Sequence, residues 1–392
     1  MKILLVAGET SGDAHGARLA TALKQQAPSV TLVGACGEAM RAAGVEQLYP
    51  LADLAAVGLV DVVRHLPAYH RVMRQLETFL DAHRPDAVVL IDFPGFNLRL
   101  AESAHRRGIR VIYYISPQLW AWKPERMRII QRTIDRMLVI LPFEEELYRK
   151  AGVPVSFVGH PLLDAAQSIE PHDRFRWRLG IGPTQPMIAL LPGSRPQEIA
   201  AHWPVLRQAA ALIEKQLGDD GAEFVVVRAP SVSDAWPWTH DHTGHPLHIV
   251  DGEIDRHSCL GAADLALVCS GTATLETAIL GCPMVIFYRT SLLNWMIFRP
   301  LVKIPSIGLV NVVAGRRIAP ELVQFAFTPQ RVADEAVRLL RDDTARSSMR
   351  QALAAVREQL GTPGAASRAA ALILETVKQP QNPPPNPPST TV

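Results

Sequence analysis

The sequence predicts an α/β fold made of two doubly wound parallel-sheet domains of the Rossmann type. The chain has 392 residues, which exceeds the size that one hydrophobic core usually serves. Short apolar runs alternate with longer amphipathic segments, which is the pattern of successive βαβ units. Most of these runs are apolar at every position, as expected for strands that are covered on both faces of a parallel sheet.

Composition narrows the class of protein further. Hydrophobic residues make up 48% and charged residues 20%, which indicates a globular chain. A net charge of +2 gives no indication of nucleic-acid binding. The first apolar run is too short for a signal peptide, and no run approaches the roughly 18 apolar residues of a spanning helix, so we expect a cytoplasmic protein. Four cysteines without C-x-x-C spacing are expected to be reduced core residues: Cys36, Cys259, Cys269 and Cys282.

The first half opens with a strand, a tight turn and a helix. Ile3–Ala7 is the strand, Gly8–Asp13 the turn, and the helix runs from about His15 to Gln26. In Leu66–Leu80 apolar residues recur every three or four positions, which predicts an amphipathic helix on the sheet. The other strands of this half are predicted at Thr31–Gly34, Ala87–Asp92, Arg110–Ile115, Met137–Leu141 and Val155–Gly159. A further helix is predicted at Phe143–Gly152.

The second half repeats this alternation after a polar stretch at Asp173–Pro186. Its strands are predicted at Ile188–Leu191, Glu223–Arg228, His248–Asp251, Leu265–Cys269 and Met284–Tyr288. Helices follow from Ala333 to Lys378 with a break at Gly361–Gly364, and a proline-rich tail without apolar anchors is expected to be disordered. The predicted division is 1–172, 173–360, a C-terminal helix at 361–378 and a tail at 379–392. Two such domains in series predict a cleft between them, with ligands beyond the carboxyl ends of strands.

Two strand ends in the second half predict a diphosphate site. Cys269-Ser-Gly-Thr-Ala-Thr-Leu-Glu276 leads from a strand into a helix whose first N–H groups are unpaired, so it can bind a diphosphate. Glu276 lies where its carboxylate could accept hydrogen bonds from ribose hydroxyls. Leu190-Leu-Pro-Gly-Ser-Arg195 adds Gly193, which permits close approach, and the planar donor group of Arg195. An ordinary turn with Ser270 or Thr272 as helix cap, and a surface arginine, would give the same patterns.

Asp92 is the candidate general base in the first half. It follows an apolar strand, where desolvation raises the pKa of a carboxyl toward the range of a base. An Asx turn before Pro94 is the alternative. The first turn carries Glu9, Ser11 and Asp13 in a similar position, and it lacks the G-x-G-x-x-G of a dinucleotide site.

Other features have competing interpretations. Trp120 and Trp122 follow a strand and could form a sugar platform, although core packing is the commoner use. His160 at a strand end is expected to be structural. Four histidines allow metal-ligand spacing, but no cysteine or paired carboxylate joins them, so a metal site is disfavoured: His240, His242, His245 and His248. Two apolar stretches, Leu51–Val63 and Ser291–Lys303, suit either a membrane interface or a buried helix.

Taken together, these stretches resemble the lipid-A-disaccharide synthase family, glycosyltransferases of the two-domain GT-B class. The similarity runs in order across nearly the whole chain, without the tail. Its motifs are Ala7–Asp13, His65–Pro67, Asp92–Ala101, Tyr114–Trp122, Leu141–Glu144, Val158–His160, Leu191–Arg195, Ser270–Glu276, Pro283–Val285 and Leu309–Asn311. A collinear set of this length is specific, whereas Ser-Gly-Thr alone is not.

The resemblance implies an inverting transfer from UDP-2,3-diacylglucosamine to 2,3-diacylglucosamine 1-phosphate at the cytoplasmic side of the inner membrane. We expect no metal or other cofactor, because helix-end donors and an arginine can offset the charge of the leaving diphosphate. The resemblance also implies Asp92 as base and Arg195 and Asn311 as necessary polar groups. The chain departs from many relatives at Gly95 and Val310. A homodimer is left open, and a UDP-sugar epimerase or a non-catalytic UDP-binding module are the alternatives. The expected sites are on the donor side Gly193, Ser194, Arg195, Ser270, Gly271, Thr272 and Glu276, and on the acceptor side Glu9, Ser11, Gly12 and Asp13.

Overall fold

The computed structural model describes residues 1–50, 59–121, 123–167, 170–218, 221–229, 232, 247–298 and 305–380, with backbone only at 59–67, 293, 297 and 298. The chain forms two compact units. One comprises Met1–Pro161 together with the C-terminal segment from Gly361, and the other comprises Leu162–Leu360. The sequence analysis placed its boundary after residue 172 and treated the C-terminal helix separately, so the two divisions differ at both points.

In the described part of the first unit, seven strands alternate with helices. In chain order they are β1 (Lys2–Ala7), α1 (Thr10–Gln26), β2 (Thr31–Cys36), α2 (Glu38–Ala42), β3 (Glu46–Pro50), α3 (Leu59–His83), β4 (Ala87–Ile91), α4 (Pro94–Arg106), β5 (Arg110–Tyr114), α5 (Met127–Thr133), β6 (Arg136–Val139), α6 (Pro142–Lys150) and β7 (Val155–Phe157). The strand order is β3-β2-β1-β4-β5-β6-β7, and every pairing is parallel. This is the predicted doubly wound sheet.

The apolar runs are explained by burial on both faces of this sheet. Along β1, Leu4 and Val6 pack into one hydrophobic cluster, whereas Ile3, Leu5 and Ala7 pack into another. Because successive side chains of a strand point to opposite faces, a strand with a core on each side has no polar position. The sequence analysis missed β3, whose residues are only partly buried.

The second unit repeats the architecture, with six strands among its described residues. Its elements are α7 (Leu162–Ala165), α8 (His172–Arg178), β8 (Met187–Leu191), α9 (Pro196–Leu217), β9 (Glu223–Arg228), β10 (Leu247–Asp251), α10 (Arg256–Ala262), β11 (Leu265–Cys269), α11 (Ala273–Ile279), β12 (Met284–Tyr288), α12 (Leu292–Phe298), α13 (Leu309–Val313), β13 (Glu321–Val323), α14 (Pro329–Arg341) and α15 (Asp343–Gln359). The parallel order is β10-β9-β8-β11-β12-β13. The carboxyl ends of β8, β9 and β11 therefore lie side by side.

The last helix, α16 (Ala365–Lys378), belongs to the first unit. Gln26 Nε2 at the end of α1 donates to the carbonyl oxygen of Ser367 over 2.9 Å. The buried guanidinium of Arg110 donates to the carbonyl oxygens of Thr376 and Gln379, which satisfies the end of the helix. These contacts join residues far apart in the chain, which is why local patterns did not assign α16 to a domain.

The two apolar stretches are described only in part. Residues 51–58 and 299–304 lie outside the described residues, as does the tail from 381. In α12 the side chains of Leu292 and Met296 are 56% and 66% exposed. Within the part of the chain that is described, each helix is too short or too polar to cross a lipid bilayer. All four cysteines are buried and unbridged.

Candidate active site

A cavity of about 320 Å³ opens at the carboxyl ends of β8, β9 and β11 in the second unit. The loops after these strands form its walls because parallel strands all end at the same edge of a sheet. All seven residues predicted for the donor side line it: Gly193, Ser194, Arg195, Ser270, Gly271, Thr272 and Glu276. The sheet order brings together two motifs that are separated by about 75 residues in the sequence.

The loop after β8 is held by a capping box at the start of α9. The Glu198 carboxylate accepts hydrogen bonds from the main-chain N–H groups of Ser194 and Arg195, over 3.1 and 3.2 Å. Gly193 has φ +132°, and a Cβ there would lie 2.8 Å from the Glu198 Cβ, so the turn requires glycine. The Arg195 side chain is 65% exposed and its Nη1 is 3.5 Å from Glu198 Oε1. The guanidinium therefore keeps donors for an anion at the cavity wall.

The turn after β11 presents main-chain donors to the same cavity. Ser270 is fixed by its hydroxyl, which donates to the Ile307 carbonyl oxygen over 2.8 Å, and by its N–H, which donates to Phe287. Gly271 has φ +151°, which turns the chain into α11. Among the residues described, none accepts a hydrogen bond from the N–H groups of Gly271, Thr272 and Ala273. Such donors suit phosphate oxygens.

Glu276 is buried and carries two basic partners that the sequence analysis missed. Arg256 Nη1 lies 3.1 Å from Glu276 Oε2, and His257 Nε2 lies 3.1 Å from the same oxygen. Burial by itself would raise the pKa of Glu276, but the hydrogen bond from His257 and the charge of Arg256 outweigh it and lower the pKa. Arg256 also lines the cavity, so this wall carries a second guanidinium. The feature of the sequence that could have indicated Arg256 is its position at the start of a helix shortly after β10.

Asn311 is buried and does not line the cavity. Its Nδ2 donates to Ala319 O and Glu321 Oε1, and its Oδ1 accepts from the N–H groups of Ile318 and Ala319, over 2.7–3.0 Å. The Glu321 carboxylate in turn accepts from the N–H groups of Ile307 and Gly308. Since Ile307 accepts the Ser270 hydroxyl, Asn311 is connected to the cavity wall through this network.

In the first unit, Asp92 follows β4 in a strained conformation. Its φ of +47° is in the left-handed region, which a residue with a side chain adopts only when its surroundings enforce it. Here the Asp92 carbonyl oxygen accepts from Asn97 Nδ2 and from the Tyr113 hydroxyl, both over 2.7 Å. Burial raises the pKa of Asp92 to about 6, and the Glu9 carboxylate adds to this effect. The carboxyl is thus mostly ionised near neutral pH and is more basic than an exposed aspartate.

Asp92 shares a cavity of about 220 Å³ with a second acid, Glu144. Glu144 is 1% exposed; Trp120 Nε1 donates to its Oε1 over 3.1 Å, and the Leu141 N–H donates to its Oε2 over 3.3 Å. Burial raises the pKa of Glu144 to about 7 despite these hydrogen bonds, and the charge of Asp92 acts in the same direction as burial. The sequence analysis saw Glu144 only as part of a motif, since its burial is not a local property.

The first turn holds the four residues predicted for the acceptor side. Glu9 and Ser11 are exposed and Gly12 is buried at the start of α1. The buried Asp13 carboxylate accepts from the N–H groups of Gly37, Ala39 and Met40 and so caps α2. Asp13 therefore has a structural role in this unit, whereas the negative charge of Glu9 raises the pKa of Asp92.

Of the remaining sequence features, few bear on a site. His160 is buried at the end of the first unit. His240, His242 and His245, like Trp122, lie outside the described residues, and His248 Nε2 pairs with Glu223 over 2.9 Å. The described residues contain no cluster of three or more His, Cys, Asp or Glu side chains that is arranged to hold a metal ion.

Solved structures with the same fold include UDP-sugar proteins. A UDP-N-acetylglucosamine 2-epimerase from Neisseria meningitidis bound to UDP-GlcNAc is similar over 96% of this chain and 99% of its own, with TM-score 0.59 and 14% identity. The glycotransferase of kitacinnamycin is similar over 96% and 98%, with TM-score 0.62 and 17% identity. At these identities the similarity concerns the fold alone, which is GT-B.

Comparison of sequences is more specific. The family model for lipid-A-disaccharide synthetase matches residues 3–376. The lipid-A-disaccharide synthase of Syntrophus aciditrophicus is 42% identical over 379 residues, 96% of this chain and 98% of that protein. The enzyme of the same name from Trichlorobacter lovleyi is 41% identical over 380 residues, with the same coverage. The fold, the cavity motifs and these relatives agree: the chain belongs to the lipid-A-disaccharide synthase family.

Proposed function

We propose that the protein transfers 2,3-diacylglucosamine from its UDP carrier to 2,3-diacylglucosamine 1-phosphate, forming the β-1,6-linked lipid A disaccharide 1-phosphate and UDP. Family membership supports the reaction class. The observation that carries the proposal is the second-unit cavity, where Arg195, Arg256 and the open N–H groups of Gly271–Ala273 surround one space. Two guanidinium groups and a row of main-chain donors match the charge and the oxygens of a nucleoside diphosphate.

The diphosphate and the ribose of the donor each have a counterpart in this cavity. Arg195 and the main-chain donors bind the diphosphate and stabilise the charge that develops as UDP leaves. Glu276 keeps its ionised form because of Arg256 and His257, so its carboxylate can still accept hydrogen bonds from the ribose hydroxyls. Gly193 lets the main chain approach the donor closely.

The acceptor is activated in the first unit. Asp92 takes the proton from the 6-hydroxyl of the acceptor, and the oxygen then attacks the anomeric carbon of the donor. The bond from that carbon to the diphosphate oxygen breaks, and UDP departs with the bonding electrons. A half-buried carboxylate with a pKa of about 6 is ionised at neutral pH and is more basic than an exposed aspartate.

The remaining predicted residues support this chemistry. Asn311 acts as a positioning residue, because it holds the network that fixes Ser270 at the cavity wall. On the acceptor side, the carboxylate of Glu9 acts on Asp92, and we expect it to bind the acceptor head group together with Ser11 and the main chain at Gly12 of the same turn. Asp13 supports this turn through α2.

We further infer that the protein binds a lipid surface through α12. Leu292 and Met296 are four residues apart, so they lie on one face of the helix, and both are exposed. Exposed apolar residues on one face can enter the acyl boundary of a bilayer. Both substrates are acylated and are therefore held in the inner membrane, so a protein bound to the surface of that membrane could take them up directly. A homodimer is compatible with this arrangement and would be detected by light scattering.

Product analysis with purified protein tests the proposal. We expect disaccharide and UDP in equal amounts from the acylated UDP-glucosamine and the acylated glucosamine 1-phosphate. Asp92→Ala should abolish turnover and leave UDP affinity within a few-fold, whereas Arg195→Ala should weaken UDP binding by about 1.5–3 kcal/mol. Arg331→Ala, an exposed arginine on α14, is the matched control.

Three outcomes would contradict the proposal in different ways. Interconversion of UDP-sugars without disaccharide would indicate an epimerase of the same fold. Binding of UDP without any turnover would indicate a UDP-binding module. Disaccharide formation that survives Asp92→Ala would leave the reaction in place and remove Asp92 as its base.

A further inference from the structure

The main chain at Asp92 is held by two side chains to which the proposed mechanism assigns no role. We propose that Asn97 and Tyr113 are positioning residues for the transfer: together they keep the Asp92 main chain in its left-handed conformation and thereby hold the carboxyl where it takes the acceptor proton. The inference rests on the proposed role of Asp92 as base. It concerns two residues that the sequence analysis did not select for the site.

Two donors from different elements converge on one carbonyl oxygen. Asn97 is fully buried in the first turn of α4, and its Nδ2 donates to the Asp92 carbonyl oxygen over 2.7 Å and to that of Ile91 over 3.2 Å. Tyr113 is fully buried on β5 beside Leu90 of β4, and its hydroxyl donates to the same Asp92 oxygen over 2.7 Å. The direction of this carbonyl is therefore fixed from both the helix and the sheet.

Fixing the carbonyl also fixes the carboxyl. The Asp92 N–H donates to the Tyr114 carbonyl oxygen over 3.0 Å, which anchors the nitrogen to the sheet. The Cβ atom and the carbonyl carbon are both attached to Cα, so a rotation about the N–Cα bond moves the two together. The φ of +47° can relax to a negative value only if the carbonyl leaves both donors, and the side chain would then swing away from its present position.

Strained main chain is concentrated around this carboxyl. Asp92 and Phe93 adopt the left-handed region in succession, with φ +47° and +49°. Ile115, which follows β5 and lines the same cavity as Asp92, has φ +65° although it is β-branched. Such strain persists only where surrounding groups enforce it, and it is typical of active sites. At Asp92 the enforcing groups are the two donors to its carbonyl.

The present position also makes the carboxyl more basic. Burial, with a further contribution from the charge of Glu9, raises the pKa of Asp92 to about 6, whereas the Phe93 N–H acts to lower it. Glu144 on α6 lines the same cavity, and Tyr113 stays neutral because burial raises its pKa well above the ordinary value. A carboxyl that turned toward solvent would lose the effect of burial, and its pKa would fall toward that of an ordinary aspartate.

The first test follows the Asp92 carboxyl without substrates. In protein labelled with ¹³C at the aspartate carboxyls, the resonance that Asp92→Asn removes should titrate near pH 6 in the wild type and at least about one unit lower in Tyr113→Phe and in Asn97→Ala. Tyr148→Phe is the matched control, because it removes an equally buried hydroxyl that donates to Pro117 O instead, and the resonance should titrate as in the wild type. A titration at the wild-type pH or above it, in either donor variant, overturns the inference.

The second test separates positioning from a purely structural role. In Tyr113→Phe, which changes no charge, kcat for disaccharide formation should fall about ten- to a hundredfold and the acid limb of kcat/KM should move to lower pH, because the carboxyl is displaced and less basic. The KM for the UDP donor should stay within about twofold, since Arg195 and Arg256 belong to the other unit. A lower melting temperature with wild-type kcat and acid limb would refute the inference. If Asn97→Ala does not fold, Tyr113→Phe alone decides.

Failure of the proposed function gives a different result. Disaccharide formation that survives Asp92→Ala would remove Asp92 as base, yet the Asp92 resonance would still move in Tyr113→Phe if this tyrosine holds the carboxyl. An unmoved resonance in Tyr113→Phe, together with loss of turnover in Asp92→Ala, would leave the proposed function in place and refute the inference.

Discussion

Replacing Asn311 by alanine separates a structural from a catalytic role for this residue. The substitution removes four hydrogen bonds inside a buried site, two accepted from main-chain N–H groups and two donated to Ala319 O and Glu321 Oε1. At about 1 kcal/mol net for each bond, we expect a loss of roughly 4 kcal/mol in the free energy of unfolding. That is a large part of the roughly 5–15 kcal/mol that stabilises a typical domain. Turnover should fall because the 305–308 segment no longer supports Ser270.

Urea unfolding followed by circular dichroism measures this loss. Asn294→Ala on the exposed face of α12 is the matched control, and its unfolding midpoint should equal that of the wild type. We also expect weaker UDP binding by the folded Asn311→Ala protein, in step with its loss of stability. If Asn311→Ala unfolds at the wild-type midpoint and binds UDP normally yet does not turn over, the residue acts on the substrate directly and the structural account is refuted.

The remaining predictions concern charge and surface. The kcat/KM of the wild type should rise as pH increases through about 6, because Asp92 must ionise, and a flat acid limb in a pH–rate profile would contradict this. Arg256→Gln should weaken UDP binding by about 1.5–3 kcal/mol in calorimetry, and unchanged affinity would remove Arg256 from the site. Since folding raises the pKa of Glu144 from 4.5 to about 7, its contribution to stability is present at low pH and decreases by roughly 3 kcal/mol as pH rises through this range. The melting temperature of Glu144→Gln relative to the wild type should therefore increase between pH 5 and pH 8, and a difference independent of pH would refute the shift. Replacing both Leu292 and Met296 by glutamate should reduce cosedimentation with anionic vesicles, and undiminished binding would place the membrane contact elsewhere.

Much of the fold follows from local patterns in the sequence. The runs at Leu265–Cys269 and Met284–Tyr288 coincide with the observed strands, because a strand covered on both faces must be apolar throughout. The β13 strand of three residues was missed, since Glu321–Val323 is too short to show any period. The helix α1 begins at Thr10 rather than near His15, and Gly12, which the sequence analysis assigned to the turn before the helix, lies in its first turn.

The residues of the donor side could also be predicted largely from the sequence. Gly193 and Gly271 mark turns with positive φ, and Arg195 and Glu276 stand at fixed distances from these turns, so neighbouring residues suffice to place them at the strand ends. The collinear motifs identified the family for the same reason: each motif is contiguous in the chain.

Only the tertiary structure decided what the buried polar groups do. Asn311 has its amide in a closed network, Asp13 caps α2, and Arg256 and His257 hold Glu276. Glu144 becomes a titratable group of the Asp92 cavity only because two strand ends and α6 remove it from water. Hydrogen-bond partners and desolvation depend on residues that are distant in sequence, so the pKa of a carboxyl and the partners of an amide cannot be read from the residues that flank them.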